Sequence, residues 1–162
     1  MLDFENQLQD RVIFPREDHT TSIGEAGALF IEAYSMDLAN DLVFDGKQAP
    51  EVKRLYSDAF DAGCVEAGVN LMRILVRTSF SVAEAGTTCL PLQNRLIDLS
   101  ERLHDLGHPV VPYYEALTRI VIGGLDSDYD DMYELAKSGN KYAITFFALS
   151  SYLFEDDADE DL

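Results

Sequence analysis

Hydrophobic side chains recur along the chain at spacings of three and four residues, which is the pattern of helices with one buried face. The most regular stripe predicts a helix over residues 92–106, and Gly107 follows it as a typical helix-ending residue. Its apolar positions are Leu92, Leu96, Leu99, Leu103 and Leu106. A broader stripe over residues 65–80 predicts a helix that is buried on two sides. Its members are Val65, Val69, Leu71, Met72, Ile74, Leu75, Val76 and Phe80.

The same spacing predicts further helices on both sides of these two. A long helix is predicted from about residue 22 to residue 42, with Ser22 as its N-cap and Glu25 as the partner in a capping box. Its buried positions are predicted to be Ala26, Phe30, Tyr34, Leu38 and Leu42. Pro50 suits the first turn of a helix that ends at Gly63. Three more helical segments are predicted over residues 108–124, where Gly123 and Gly124 close the helix, over residues 127–139 and over residues 140–154.

These elements predict an all-α protein of about seven helices, arranged as irregular antiparallel hairpins in an α-solenoid-like stack. A glycine separates two helices at Gly63, Gly107 and Gly139, and a small or β-branched residue follows four positions later each time. Those followers are Ala67, Val111 and Ala143. No segment alternates like a strand, apart from a short extended piece predicted at residues 12–14. The predicted organisation is an extension over residues 1–21, a helical repeat-like domain over 22–154 and an acidic tail over 155–162.

Two segments around these glycines resemble the turn of Sel-one-like repeats, relatives of the tetratricopeptide repeat. They read LHDLGHPVVPYYEAL and LAKSGNKYAITFFAL. Gly107, Gly139, Ala143 and Ala148 fit the pattern of that family, whereas Val111 replaces an alanine and Glu115 an apolar residue. The resemblance extends over residues 55–154, and more weakly from residue 22. It implies a solenoid that serves as a scaffold or adaptor for protein partners, and an ordinary helical bundle stays open as the alternative.

The net charge of the chain limits the classes of molecule that it could bind. The chain has 30 acidic and 12 basic side chains, a formal net charge of -18. Residues 120–162 hold 11 acids against only Lys137 and Lys141, which gives this segment a charge of -9. Such a balance argues against direct binding to nucleic acid or to an anionic membrane, and it permits either a basic protein partner or simple solubility.

Cysteine usage and hydropathy bear on the compartment. Cys64 and Cys89 lie 25 residues apart without a CxxC pattern, which is typical of reduced thiols in a cytoplasmic protein. The first residues, MLDFENQLQD, lack the basic start and apolar core of a secretory signal. No apolar run approaches the length of a membrane span. We therefore predict a cytoplasmic protein without a membrane segment.

Two motifs imitate metal sites. His104 and His108 have the HxxxH spacing of zinc ligands on one helix, but Gly107 predicts that the helix ends between them. The segment DSDYDDMYELAK begins like a calcium loop, yet Asp131 stands where glycine is needed and Lys137 where glutamate is needed. These acids are predicted to lie in the first turn of a helix instead. No metal or cofactor is predicted.

No catalytic residue is predicted either. Cys64 and Cys89 are candidate nucleophiles, but no local motif pairs either thiol with a histidine. Cys64 is predicted to be a small buried residue. An enzyme whose site is assembled from distant residues is the least supported class, because no motif indicates it.

A surface rich in tyrosine and carboxylate is predicted to bind the partner, because such groups suit recognition of a basic protein. Its predicted residues are Tyr113, Tyr114, Asp126, Asp128, Tyr129, Asp130, Asp131, Tyr133, Glu155, Asp156 and Asp157. The alternative, which stays open, is that two or more of the tyrosines are half-buried helix residues. The acidic tail is interpreted either as a solvated chain end or as a segment that attracts a basic partner electrostatically.

The predicted function is a non-catalytic protein-binding module of the adaptor, chaperone, immunity or inhibitor type. The alternative is an inhibitor that mimics DNA, which needs a dense line of carboxylates on a rigid surface. A homodimer in which Phe146, Phe147 and Phe154 cover an end face of the helices is also left open.

Overall fold

The computed structural model describes residues 17, 24–39, 49–84, 86, 89–123 and 126–155. Within these ranges the regular structure is entirely α-helical, which confirms the predicted all-α class and the number of helices. The helices are α1 (Glu25–Ala39), α2 (Ala49–Asp61), α3 (Val65–Glu84), α4 (Leu90–Asp105), α5 (Val110–Gly123), α6 (Asp126–Lys137) and α7 (Lys141–Glu155). The extended piece predicted at residues 12–14 lies outside the described residues.

The helices belong to two compact units. The first unit is Arg16–Gly107, where α1 packs against α2, α2 against α3 and α3 against α4. The second unit contains the described residues from His108 onward, where α6 packs against both α5 and α7. Packing between helices that are consecutive in the chain is the arrangement expected of the helical hairpins that the sequence predicts. The predicted limits of the extension and of the acidic tail border residues outside the described part and stay predictions.

The break between α6 and α7 repeats the break between α2 and α3. Gly63 and Gly139 have left-handed backbones, with φ of 102° and 90°. The N–H of Cys64 donates to the carbonyl of Ala59 at 2.9 Å, and the N–H of Asn140 donates to that of Leu135 at 3.0 Å. Both bonds span five residues and define the same Schellman ending. Glycine is required because a Cβ would strain this φ.

The positions four residues after the glycines are equivalent in burial as well. Ala67, Val111 and Ala143 are all buried. Nine residues after the glycines, Met72 and Ala116 are buried but Ala148 is exposed. The turns are therefore alike in geometry, whereas membership of a repeat family stays a prediction.

The first helix departs from its predicted limits and its predicted face. It begins at Glu25, because Gly24 before it has a φ of 86°. Ser22 and Leu42 lie outside the described residues, so the capping role of Ser22 stays a prediction. The buried stripe consists of Ala26, Gly27, Phe30, Ala33 and Asp37, while Tyr34 is half-buried and Leu38 exposed. A strict four-residue step rotates about 40° per step around a helix, so the predicted stripe drifts away from the core.

Most of the broad stripe of α3 is buried against α2 and α4, as predicted, whereas Val65 is half-buried and the side chain of Phe80 lies outside the described part. The fully enclosed apolar residues of this helix are Ala67, Val69, Leu71, Met72, Ile74, Leu75 and Val76. On α4, Leu99 and Leu103 are buried and Leu92 and Leu96 half-buried. Leu106 is exposed, contrary to its predicted place in the stripe, because α4 ends at Asp105.

Close packing between α2 and α3 depends on Gly68. A Cβ at this position would lie 2.6 Å from Cδ2 of Phe60. The Phe60 ring is buried, and the guanidinium carbon of Arg102 lies 4.3 Å from its centroid. Arg102 is itself held by Asp61, whose carboxylate accepts its hydrogen bond at 2.8 Å. The ring is therefore constrained from more than one direction.

We expect Gly68→Ala to destabilise the first unit by up to about 2 kcal/mol. The clash with Phe60 costs about 1–3 kcal/mol, which exceeds the gain of about 1 kcal/mol from the higher helix propensity of alanine. Urea unfolding followed by circular dichroism measures the change. In the double variant with Phe60→Leu the loss should be smaller than the sum of the two single losses. A single variant more stable than the wild type would contradict the packing argument.

Candidate protein-binding surface

In the second unit, α6 lies between two neighbouring helices. Met132 is 0% exposed and anchors the helix. On one flank, Asp131 forms an ion pair with Arg119 of α5 at 3.0 Å. On the other flank, the ring of Tyr133 meets Phe147 of α7 edge to face, with centroids 6.0 Å apart. These contacts fix the rotation of α6 and therefore determine which of its side chains face the solvent.

The outward side of α6, here called the α6 acidic face, consists of Asp130, Tyr133, Glu134 and Lys137. All four side chains are exposed, and Tyr133 keeps 54% of its surface accessible. Nζ of Lys137 donates to Oε1 of Glu134 at 2.9 Å and lies 5.4 Å from the centroid of the Tyr133 ring. The Glu134 carboxylate raises the pKa of Lys137 above its ordinary value.

An apolar strip on α7 continues this face. Ile144 is 49% exposed, and Phe147, three residues later, is half-buried. Because Phe147 touches Tyr133, the strip and the α6 acidic face form one surface. Large apolar side chains that stay exposed beside charged groups are typical of protein-binding sites. We call this combination of Asp130, Tyr133, Glu134, Ile144 and Phe147 the α6–α7 surface.

Two of the tyrosines predicted to bind a partner lie in the core instead. Tyr113 and Tyr114 are 1% and 2% exposed, and their rings meet at a centroid distance of 5.3 Å. Tyr142 of α7 lies 5.8 Å from Tyr113. Burial, followed by the proximity of Tyr114, raises the pKa of Tyr113 well above its ordinary value. These two side chains therefore expose almost no surface to a partner in this structure, and their role in binding stays a prediction.

The other predicted residues are placed differently. Tyr129 is half-buried, and Asp130, Asp131 and Tyr133 are exposed on α6. The side chains of Asp126, Asp128 and Glu155 lie outside the described part, as do Asp156 and Asp157 entirely. For the exposed residues, a role in binding stays a prediction.

Sequence reasoning missed Glu134 and Ile144. Glu134 could have been found, because it lies four residues after Asp130 and therefore shares its helix face. Ile144 could not, because an apolar residue on a helix gives no local sign of being exposed. Phe146, predicted as a dimer contact, is buried within the unit, while the side chain of Phe154 is outside the described part.

The two motifs that imitate metal sites have local structural roles. His104 is exposed on α4, whereas His108 lies beyond the end of that helix. Nδ1 of His108 accepts the N–H of Val110 at 3.2 Å and so caps α5. The aspartates of the calcium-like segment lie in α6, which is helical from Asp126. Among the described residues, no three His, Cys, Asp or Glu side chains lie together as metal ligands would.

Cys64, the other candidate for chemistry, is fully buried. Its thiol donates to Oε2 of Glu66 at 3.5 Å. This placement agrees with the predicted packing role, since a reactive thiol needs access to its substrate.

A buried polar cluster in the first unit was not predicted from the sequence. Asp37 of α1 and Arg73 of α3 form an ion pair although each is only 2% exposed. The hydroxyl of Tyr56 on α2 donates to the same carboxylate oxygen at 2.8 Å. One carboxylate thus joins three helices. Because these side chains are enclosed, the cluster is unsuited to contact a partner directly.

Asn70 extends the polar interior along α3. Its side-chain Nδ2 donates to the backbone carbonyl of Glu17 at 2.6 Å and to that of Glu66 at 3.0 Å. Both Asn70 and Glu17 are buried. The bond attaches residue 17 to α3 from 53 positions away in the sequence.

None of the helices in the described ranges combines the length and the apolar character that crossing a bilayer requires. Comparison of the chain with models of protein families, with curated proteins and with solved structures yields no match.

Proposed function

We propose that this protein is a non-catalytic binding module that recognises a basic protein through the α6–α7 surface. The observation that carries the proposal is the exposed Tyr133 ring, held by Phe147 and flanked by Asp130 and Glu134. A tyrosine in this situation offers a large contact area and loses little conformational freedom on binding. Aromatic residues of this kind dominate the affinity of many protein interfaces.

The charge distribution supports a basic partner. The net charge of -18 attracts a cationic protein over a distance, and the segment from residue 120 carries half of it. Exposed carboxylates at the edge of an interface mainly raise the association rate and select against acidic proteins. The apolar contacts of Tyr133, Ile144 and Phe147 would then supply most of the affinity. The Sel-one-like resemblance, which implies a protein-binding scaffold, is compatible with this proposal.

The DNA-mimic alternative receives less support from the described surface. Duplex DNA presents one negative charge about every 1.7 Å along its axis, without intervening cations. Several exposed carboxylates of this protein are instead paired with arginine. Arg54 bonds to Glu51 and Asp58, both at 2.6 Å, and Arg102 bonds to Asp61 at 2.8 Å. Such mixed pairs interrupt a row of carboxylates.

The test compares two charge-matched double variants. Asp130→Asn/Glu134→Gln alters the α6 acidic face, and Glu101→Gln/Asp105→Asn alters an exposed pair with the same spacing on α4. A partner is first captured from a lysate of the source cells by the wild-type chain and then purified. We expect the α6 variant to bind it about three- to tenfold more weakly, because each exposed charge contributes up to about 1 kcal/mol. The α4 variant should bind like the wild type.

The contribution of the apolar side chains to binding is tested separately, with a control substitution on α4. Tyr133→Ala should weaken binding by about 30-fold, the effect of losing an interfacial anchor. Leu90→Ala removes an exposed apolar side chain of α4 and should leave binding unchanged. Equal losses in the α4 and α6 variants would refute the proposed location. Loss of the partner when duplex DNA is added would favour DNA mimicry, and loss on ending the chain at Phe154 would assign the interaction to the acidic tail.

A further inference from the structure

Lys137 makes two contacts on the α6–α7 surface that a cation from another molecule would also make. Its ammonium group donates to the Glu134 carboxylate at 2.9 Å and lies over the Tyr133 ring at 5.4 Å. A carboxylate beside an aromatic face is the usual environment for a bound ammonium or guanidinium group. Phe147 holds the ring from the neighbouring helix, so this arrangement involves α7 as well as α6.

We propose that Tyr133 and Glu134 form a binding site for an arginine side chain of the basic partner, and that Lys137 occupies this site in the free protein. The inference rests on the proposed function, since it assigns the chemistry of one contact within the same surface. A guanidinium group can stack on the ring and bond to both carboxylate oxygens, whereas the ammonium group is a compact charge. Arginine is therefore the better competitor for the site.

Occupation by Lys137 lowers the affinity for the partner. An incoming arginine must first displace the lysine, so only the fraction of molecules with a vacant site is ready to bind. The lysine is held by exposed contacts, which are weak, and its removal should therefore raise affinity by about three- to fivefold. The contact acts as a built-in competitor that disfavours weakly basic proteins.

Lys141 provides a control of the same charge. Its Nζ lies 4.7 Å from the centroid of the Tyr142 ring on α7. Tyr142 is buried, unlike Tyr133, so a partner cannot take the place of Lys141 over an open ring. Replacing either lysine by methionine changes the net charge equally and preserves most of the side-chain length.

The experiment measures binding of hexa-arginine and hexa-lysine peptides to the full chain by isothermal titration calorimetry. We expect Lys137→Met to bind hexa-arginine about three- to fivefold more tightly than the wild type, and Lys141→Met to differ less than twofold. The gain should be larger for hexa-arginine than for hexa-lysine. It should disappear when Tyr133→Leu is added to Lys137→Met. Equal gains in the two methionine variants would overturn the proposed occupation of the site by Lys137 and leave net charge as the cause.

The two charge-matched double variants separate this inference from the proposed function. If Asp130→Asn/Glu134→Gln weakens peptide binding more than Glu101→Gln/Asp105→Asn does, the α6 acidic face binds cations. With that result, equal affinities of the two methionine variants would refute only the role of Lys137. If the two double variants bind the peptides equally, both the arginine site and the proposed location fail.

Discussion

Replacement of Arg73 by methionine is expected to destabilise the first unit by about 3–5 kcal/mol. The substitution removes the cation that faces the Asp37 carboxylate, in a place where both groups are only 2% exposed. Bulk water does not reach the carboxylate there, and the Tyr56 hydroxyl is a neutral donor that does not balance a full charge. Most of the expected loss is therefore the cost of the carboxylate left behind. Urea unfolding followed by circular dichroism gives the free energy of unfolding.

A double variant distinguishes this cause from loss of packing. Asp37→Asn/Arg73→Met removes both charges and keeps a group that can accept the Tyr56 hydrogen bond. We expect it to be more stable than Arg73→Met alone, because no uncompensated charge remains buried. Asp37→Asn alone should be strongly destabilising, since it leaves the arginine facing a neutral amide. A loss below about 1 kcal/mol in Arg73→Met would show that the ion pair is not enclosed as described.

The helices, and the helix ends at Gly63 and Gly139, could be predicted because their signals are local. The spacing of Leu99 and Leu103 indicates a helix face without reference to any other segment. Gly63 and Gly139 mark helix ends because the left-handed backbone of the Schellman ending favours glycine. These features depend on residues within about one helical turn of one another. The structure places the helices accordingly.

The buried polar cluster could not be predicted because its signal is not local. Asp37 and Arg73 are 36 positions apart, and each residue type is normally found at the surface. The ion pair between these two residues also explains why the buried face of α1 was predicted wrongly. A helix that turns Asp37 toward the core leaves Leu38 exposed. The apolar stripe alone would predict the opposite rotation, with Leu38 buried and Asp37 exposed. Tertiary packing therefore decides the rotation of this helix.

The residues of the candidate surface could be predicted only in part, again because the arrangement depends on how the helices pack. Tyrosines and acids close in sequence suggested one shared surface, but they lie on two helices, α5 and α6, each of which turns its own side toward the core. Tyr113 and Tyr114 consequently face the core, while Tyr133 and Asp130 face the solvent. Contact between Tyr133 and Phe147 depends on how α6 and α7 pack, which no short motif specifies.

Met132→Ala is expected to destabilise the second unit by about 2–5 kcal/mol, the usual cost of truncating a large buried side chain. Among the side chains described on α6, those of residues 129–137, only Met132 is fully buried. Its thioether chain therefore provides much of the contact that holds α6 against α5 and α7. Met132→Leu is the matched control and should cost less than about 1.5 kcal/mol, because it nearly conserves volume.

The position of the substitution should also determine which part of the unit opens first. With its anchor truncated, α6 should exchange its backbone amides with solvent faster than α5 does, which hydrogen-exchange mass spectrometry can resolve. Binding of the basic partner should weaken together with this protection, because Tyr133 and Glu134 hold their places only while α6 is docked. Uniform loss of protection in α5, α6 and α7 would instead show that the unit opens as a whole. Unchanged binding by Met132→Ala would show that recognition does not require the docked helix, and it would place the interface outside the α6–α7 surface.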